Sequence, residues 1–358
     1  MRYVVIMAGG SGKRLWPLSR RDTPKQLLRL FEDKSLMRLA YERVQGLVPD
    51  DQIYVCIGAD YADVVAEELP ELPAANLLGE PEGRDTLNAV AWPTAVIHRR
   101  DPDATIAVLT ADQLIEPVDA FRDALGRGFD AAESDEQALV TFGVLPTRAH
   151  TGYGYLHRGE PVGAGEAVVR VKEFREKPDL ATAEEYLASG EFWWNAGMFV
   201  WRAATLLHQV EQLQPDVAAG VREIAEHPER LEAVYPGLTK ISIDYAVMEP
   251  ASRGRTDAHV VAVRLPISWH DVGGYATLLE QLPADANGNV SEGITTLTGA
   301  HGSLAINRQD GHLVALVGVN DLAVVHTDEV TMVVPVSDAE RVKELLTDVA
   351  EQHGDAYL

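Results

Sequence analysis

Residues 7 to 28 read MAGGSGKRLWPLSRRDTPKQLL, directly after the apolar run YVVI. Gly9, Gly10 and Gly12 are followed by Lys13, Arg14, Arg20, Arg21 and Lys25. Glycines let backbone amides approach a phosphate chain, and amides together with cations neutralise it. Trp16-Pro17-Leu18 stiffens the stretch, because the residue before a proline is pushed toward extended geometry. A turn of this kind at the carboxyl end of a strand is a triphosphate site in outline; the same glycines also suit an ordinary tight turn.

Two familiar nucleotide loops are excluded at a defining position. In G-x-x-x-x-G-K-[ST], Gly12 and Lys13 fit, but Met7 takes the first glycine position and Arg14 replaces the hydroxyl that would hold magnesium. In G-x-G-x-x-G, Gly10 and Gly12 fit and Leu15 replaces the third glycine.

Charge narrows the ligand class. The 358-residue chain has a formal net charge of −24, which argues against nucleic acid as a partner. Residues 1–45 nevertheless hold ten Lys and Arg against four Asp and Glu. A basic island in an acidic protein suits a small polyanion; the same count fits a basic helix face balanced elsewhere. No apolar run approaches the roughly 20 residues that span a bilayer, so no membrane association is expected. The opening residues lack the pattern of a secretory signal, and the single Cys56 excludes a disulfide framework. The expected setting is cytoplasmic.

The elements that must position the loop follow an α/β pattern. YVVIM, IYVCIG, TIAVLTA and ALVTFGV are nearly all apolar, as in strands covered on both faces. Helix-like SLMRLAYERVQGL, YADVVAEEL, TLNAVAWPTAVIHRR and VDAFRDALGRGFDAAE lie between them, and Pro93 should kink or end the third. This predicts a doubly wound, mostly parallel, Rossmann-like sheet with ligands at the carboxyl ends of its strands. Residues 150–275 add strands in VVRVKEF, AGMFVW and AHVVAVRL and helices in LATAEEYLAS and ATLLHQVEQL, completing the same domain. From about residue 290 the chain is β-rich with close turns, a spacing that fits a small β-helix, and a helix from Ser337 to about His353 closes it. The expected domains are residues 1–284 and 285–358.

The segment AGGSGKRLWPLSRRDTPKQLL resembles the activator loop of sugar nucleotidyltransferases, most of all mannose-1-phosphate guanylyltransferases. EPEGRDT, VLTADQLI, TFGVLPTRAHTGYGYL, FREKPD, WWNAGMFVW, SIDYAVME and SWHDVGGY recur in the family's order across residues 5 to 275. The β-rich tail resembles the family's C-terminal β segment. Bifunctional relatives carry a fused cupin-type isomerase domain, which is not expected within these 358 residues.

The resemblance implies attack of an α-D-mannose 1-phosphate oxygen on the α-phosphorus of GTP, giving GDP-mannose and pyrophosphate with Mg2+. Arg14 and Lys25 would be the catalytic cations. Ala8, Gly9, Gly10, Ser11 and Gly12 would contact the nucleotide, and Glu80 and Thr86 would select the base. Asp112, ending TIAVLTAD, and Asp271, in WHDVGG, would hold the metal. Gly154, Glu176, Lys177 and Asn195 would bind the sugar phosphate, and Trp193-Trp194 would pack rather than stack on substrate. A homodimer is implied as well.

The chain departs from the family at Asp85-Thr86-Leu87-Asn88 (usually Asn-Thr-Ala-Pro), Gln113 (His), Ala196 (Ser) and Gly274-Tyr275 (Ser/Asn-Trp). Another pair, such as glucose 1-phosphate with UTP or dTTP, remains open, as does a non-catalytic nucleotide-sugar sensor. WPLSR, TGYGY and SIDYAVME favour mannose and GTP, and an intact Arg14, Lys25, Asp112, Lys177 and Asp271 favours catalysis.

Overall fold

A computed structural model describes residues 1–10, 12–21, 23–31, 33–163 and 165–358. The chain divides into two compact units. The first comprises Met1–Gly9, Ala40–Ala111 and Ile115–Trp269; the second comprises Gly10–Leu39, Asp112–Leu114 and His270–Leu358.

The first unit is built on a nine-stranded sheet. Its spatial order is Leu77–Glu80, Ile53–Gly58, Arg2–Met7, Thr105–Thr110, Phe192–Arg202, Ala138–Val144, His259–Arg264, Val168–Arg175 and Tyr155–Pro161. The first four strands are parallel, with Val4 opposite Ile53 and Ala107. Val4, Val5 and Ile6 are wholly buried, as their unbroken apolar run requires when both faces are covered. Phe192–Arg202 then runs antiparallel to Thr105–Thr110, Ala138–Val144 and Tyr155–Pro161, which makes the whole sheet mixed.

The expected helices form at Leu36–Val44, Ala62–Glu68, Asp85–Arg100, Val118–Ser134, Leu180–Ser189 and Ala203–Leu213. Asp85–Arg100 does not end at Pro93. Pro93 offers no N–H to the preceding turn, but Trp92, Ala95 and Ile97 are buried in the main core and hold the helix across it.

The second unit has its own core, in which Leu15, Trp16, Leu18, Leu28 and Leu36 join Val272, Tyr275, Leu278, Leu304, Ile306, Ala323, Val325 and Val342. The boundary expected at residue 284 therefore falls inside a unit that the loop and the C-terminal strands share. Val290–Glu292, Leu304–Asn307 and Leu322–His326 pair in parallel, as do Thr295–Thr298 and Val314–Val317, giving stacked β-helical turns. Gly293, at φ +77°, makes one corner; a Cβ there would run into the Asn307 carbonyl oxygen. Thr331–Pro335 ends the stack antiparallel to Leu322–His326, before the helix Val342–His353.

Candidate active site

In the second unit the glycine loop is a fixed turn. Gly10 and Gly12 have φ of +94° and +63°, and a Cβ on Gly12 would stand 2.7 Å from the Lys25 Cβ. The Gly12 carbonyl accepts from the Leu15 amide and the Ser19 hydroxyl. Farther on, the Tyr275 hydroxyl lies 2.8 and 2.9 Å from the carbonyl oxygens of Leu15 and Trp16, and the Trp16 indole donates to the Tyr357 carbonyl. These bonds fix the backbone on either side of Arg14.

The carboxylates lie within the same unit. The Lys25 ammonium donates to Asp112 Oδ2 at 2.6 Å. The Val272 amide donates to the Asp112 carbonyl at 2.9 Å, so backbone pairing delivers Asp271 beside Asp112. Burial, and then the Asp112 charge, push the Asp271 carboxyl up to about 6; Lys25 and Arg14 offset part of this. Arg14 itself pairs with Glu340 at 2.6 Å.

Such a pair fits a divalent cation supplied with ligands by its substrate. Two nearby acids, one of them with its carboxyl raised by burial and by the other's charge, gain from an added double positive charge. Among the described residues no group of three or more His, Cys, Asp or Glu is placed to enclose a metal. Magnesium is characteristically held by one or two carboxylates with waters and phosphate oxygens completing the shell.

In the first unit, Asn195 sits where the strand Phe192–Arg202 slips register between Asn195 and Phe199, an irregularity able to re-aim a side chain. Its Oδ1 accepts from the Thr141 hydroxyl at 2.7 Å, and its Nδ2 donates to Asp244 Oδ1 at 3.1 Å. Lys177, at φ +47°, reaches Glu176 Oε1 at 2.8 Å. Glu176 is buried, which raises its carboxyl, with Lys177 opposing the rise. A Cβ at Gly154 would lie 2.5 Å from Glu176 Oε2, so the carboxylate occupies the space a side chain would need.

Glu80 and Thr86 also belong to the first unit. Glu80 is buried at the end of its strand, and its Oε1 accepts the Tyr235 hydroxyl at 2.5 Å. Burial raises the Glu80 carboxyl, and the tyrosine bond works against it. The Thr86 hydroxyl accepts from the Ile243 amide. Asn88 donates to the carbonyls of Arg84 and Thr239, and the Leu87 amide to that of Ile241. The segment 239–243 is thereby laced to residues 84–88.

Comparison with known proteins places the chain in a family. The family model described as Nucleotidyl transferase matches residues 3–288, and the MannoseP isomerase/GMP-like beta-helix domain matches residues 302–349. A mannose-1-phosphate guanylyltransferase of Escherichia coli is 36% identical, over 97% of this chain and 73% of its own length. The chain belongs to the mannose-1-phosphate guanylyltransferases. A second relative, from Salmonella typhimurium and carrying the same name, is 36% identical over 97% of this chain and 73% of its own. A crystal structure from Thermus thermophilus, named a mannose-1-phosphate geranyltransferase, superposes with a TM-score of 0.85 at 35% identity, covering 97% of this chain and 99% of that one.

Several of the departures from other mannose-1-phosphate guanylyltransferases have structural roles. Asn88 ties the first turn of its helix to residue 239, and the Tyr275 hydroxyl serves carbonyl groups of the loop. Ala196 is simply buried. Ala8 is buried, its amide bound to the Cys56 carbonyl, while Gly9 and Gly10 are exposed; Ser11 lies outside the described residues. Trp193 and Trp194 are buried, Trp194 edge-on to Tyr153. Sequence reasoning missed Tyr235, Asp244 and Glu340. Asp244 stood within SIDYAVME, but no local pattern marks its carboxyl as the partner of Asn195.

Proposed function

We propose that this protein transfers a guanylyl group from GTP to α-D-mannose 1-phosphate, releasing pyrophosphate. A phosphate oxygen of the sugar phosphate attacks the α-phosphorus in line, the bond to the β-phosphate bridging oxygen breaks, and GDP-mannose forms. Family membership over nearly the whole chain supports the reaction. The observation that carries the chemistry is the grouping of Lys25, Arg14, Asp112 and Asp271 in one unit.

Arg14 and Lys25 bind and neutralise the triphosphate, with the amides of Gly9, Gly10 and Gly12 beside it and Ala8 anchoring the turn. Asp112 and Asp271 hold Mg2+, which when bound neutralises charge on the phosphates. Lys177 takes the sugar phosphate, while Asn195 and Glu176, whose carboxylate fills the space left at Gly154, meet sugar hydroxyls. Glu80 and Thr86 stand at the base. Among the described residues no helix is long and apolar enough to cross a membrane, and the cytoplasmic setting expected from the sequence is kept as part of this reading. We further expect a homodimer.

The test is pyrophosphate release from four nucleoside triphosphates against mannose, glucose, fucose and glucosamine 1-phosphates. GTP with mannose 1-phosphate should exceed every other pair. A preference for UTP or dTTP with glucose 1-phosphate would overturn the substrate assignment, and no product in any pair would overturn catalysis.

A further inference from the structure

We propose that Asp244 is a further substrate-binding residue of the hexose subsite: one carboxylate oxygen fixes the Asn195 amide, and the other accepts a sugar hydroxyl. This rests on the guanylyl-transfer reading above and extends it to a residue that reading does not use.

The argument begins with the Asn195 amide. Its Oδ1 is taken by the Thr141 hydroxyl at 2.7 Å and one Nδ2 hydrogen by Asp244 Oδ1 at 3.1 Å. Both ends of the amide are therefore defined, leaving one N–H for a ligand. Among the described residues the one side chain that hydrogen-bonds the Asp244 carboxyl is Asn195, at Oδ1; the other contact is with its own backbone amide. Asp244 keeps some exposed area as a residue, but its carboxyl is buried, as Asn195 and Glu176 are. A remaining amide hydrogen beside a carboxylate oxygen offers one donor and one acceptor, the combination that grips a hydroxyl or a neighbouring pair of hydroxyls.

Charge places the same carboxyl near the phosphate-binding end. The charges of Glu176 and Lys177 both act on Asp244, and Asp244 in turn helps raise the Lys177 ammonium. The backbone fixes Asp244 from two sides. Residues 239–243 are laced to residues 84–88, and Asp244 then opens a π-helical turn, Asp244–Met248, a local irregularity that recurs at functional sites. An acid held this firmly among acids is costly as mere scaffolding, since a neutral side chain could orient Asn195 at less expense.

The experiment compares wild type, Asp244→Asn and Asp244→Ala with GTP, using mannose 1-phosphate and its 2-, 3-, 4- and 6-deoxy analogues. For Asp244→Ala the KM for mannose 1-phosphate should rise about tenfold or more, as for loss of a charge-assisted hydrogen bond, while the KM for GTP stays within about twofold. With one analogue, which lacks the bound hydroxyl, wild type and both variants should become nearly equal. A residue that only shapes the pocket would weaken every analogue by the same factor, and that result overturns the proposal. So does an unchanged KM for mannose 1-phosphate in Asp244→Asn, the isosteric variant retained should the alanine protein fail to fold. Wild type that releases pyrophosphate with no sugar phosphate at all would instead defeat the guanylyl-transfer reading itself.

Discussion

The Lys25 ammonium rests 2.6 Å from Oδ2 of Asp112, with both side chains partly buried, and the Val272 amide closes on the carbonyl of the same aspartate. One aspartate thus meets a cation from the glycine loop with its side chain and the chain beside Asp271 with its backbone. Removing either partner of such a pair leaves charge in a poorly solvated place.

Replacing either acid by its amide separates chemistry from folding. Asp112→Asn or Asp271→Asn should lower kcat by about a hundredfold or more through loss of a metal carboxylate. Because Asp271 is held up to about 6, its charge costs more in the folded protein than in the unfolded chain. Asp271→Asn should therefore melt no lower than wild type at pH 8. Circular dichroism melts beside initial rates across a magnesium titration check both. Turnover near wild type would remove that residue from the metal shell.

Lys177→Ala should act on the sugar phosphate. Loss of a charge-assisted contact should raise the KM for mannose 1-phosphate about ten- to hundredfold, with little change for GTP. Steady-state kinetics with each substrate varied separately decide it; a change confined to GTP would move Lys177 to the nucleotide.

Tyr275→Phe tests the anchoring of the loop. The hydroxyl serves buried carbonyl groups of Leu15 and Trp16, so its loss should cost about 1–3 kcal/mol of stability. The same variant should raise the KM for GTP more than that for mannose 1-phosphate, because the loosened segment carries Arg14. Denaturant melts and paired KM values provide the comparison.

Asp244 gives a pH signature. Burial, then the charge of Glu176, push its carboxyl up to about 7, with Lys177 and Asn195 opposing. Between about pH 4 and 7 the folded state holds a proton that the unfolded chain has released, so stability falls as pH rises through that window. Asp244→Asn removes the titration. Relative to wild type it should gain roughly 1–3 kcal/mol between pH 5 and pH 8. Thermal melts at the two pH values measure this difference, and a constant offset would contradict it.

Much of this architecture was legible in the sequence. The unbroken runs YVVIM and TIAVLTA could only be strands covered on both faces, and LATAEEYLAS begins and ends as a helix where its pattern says. The loop's glycines and cations pointed toward a phosphate site, and the family resemblance pointed to Asp112 and Asp271 as metal ligands; both remain proposals. What stayed hidden depends on contacts distant in sequence. Nothing near residue 235 shows that its hydroxyl meets Glu80, and Glu340 pairs with an arginine more than three hundred positions earlier. The mixed sheet was hidden for a similar reason: an apolar run fixes a strand but not its direction. Gly154 shows the limit most sharply, since its missing side chain makes room for the Glu176 carboxylate, 22 positions on.

The most direct test of guanylyl transfer is to follow GTP labelled at its α-phosphorus, with magnesium and mannose 1-phosphate. The label should pass into GDP-mannose in step with one pyrophosphate released per product, and omitting the sugar phosphate should abolish both. Label recovered as GDP or GMP, or remaining in GTP while the protein binds it, would contradict guanylyl transfer at this site.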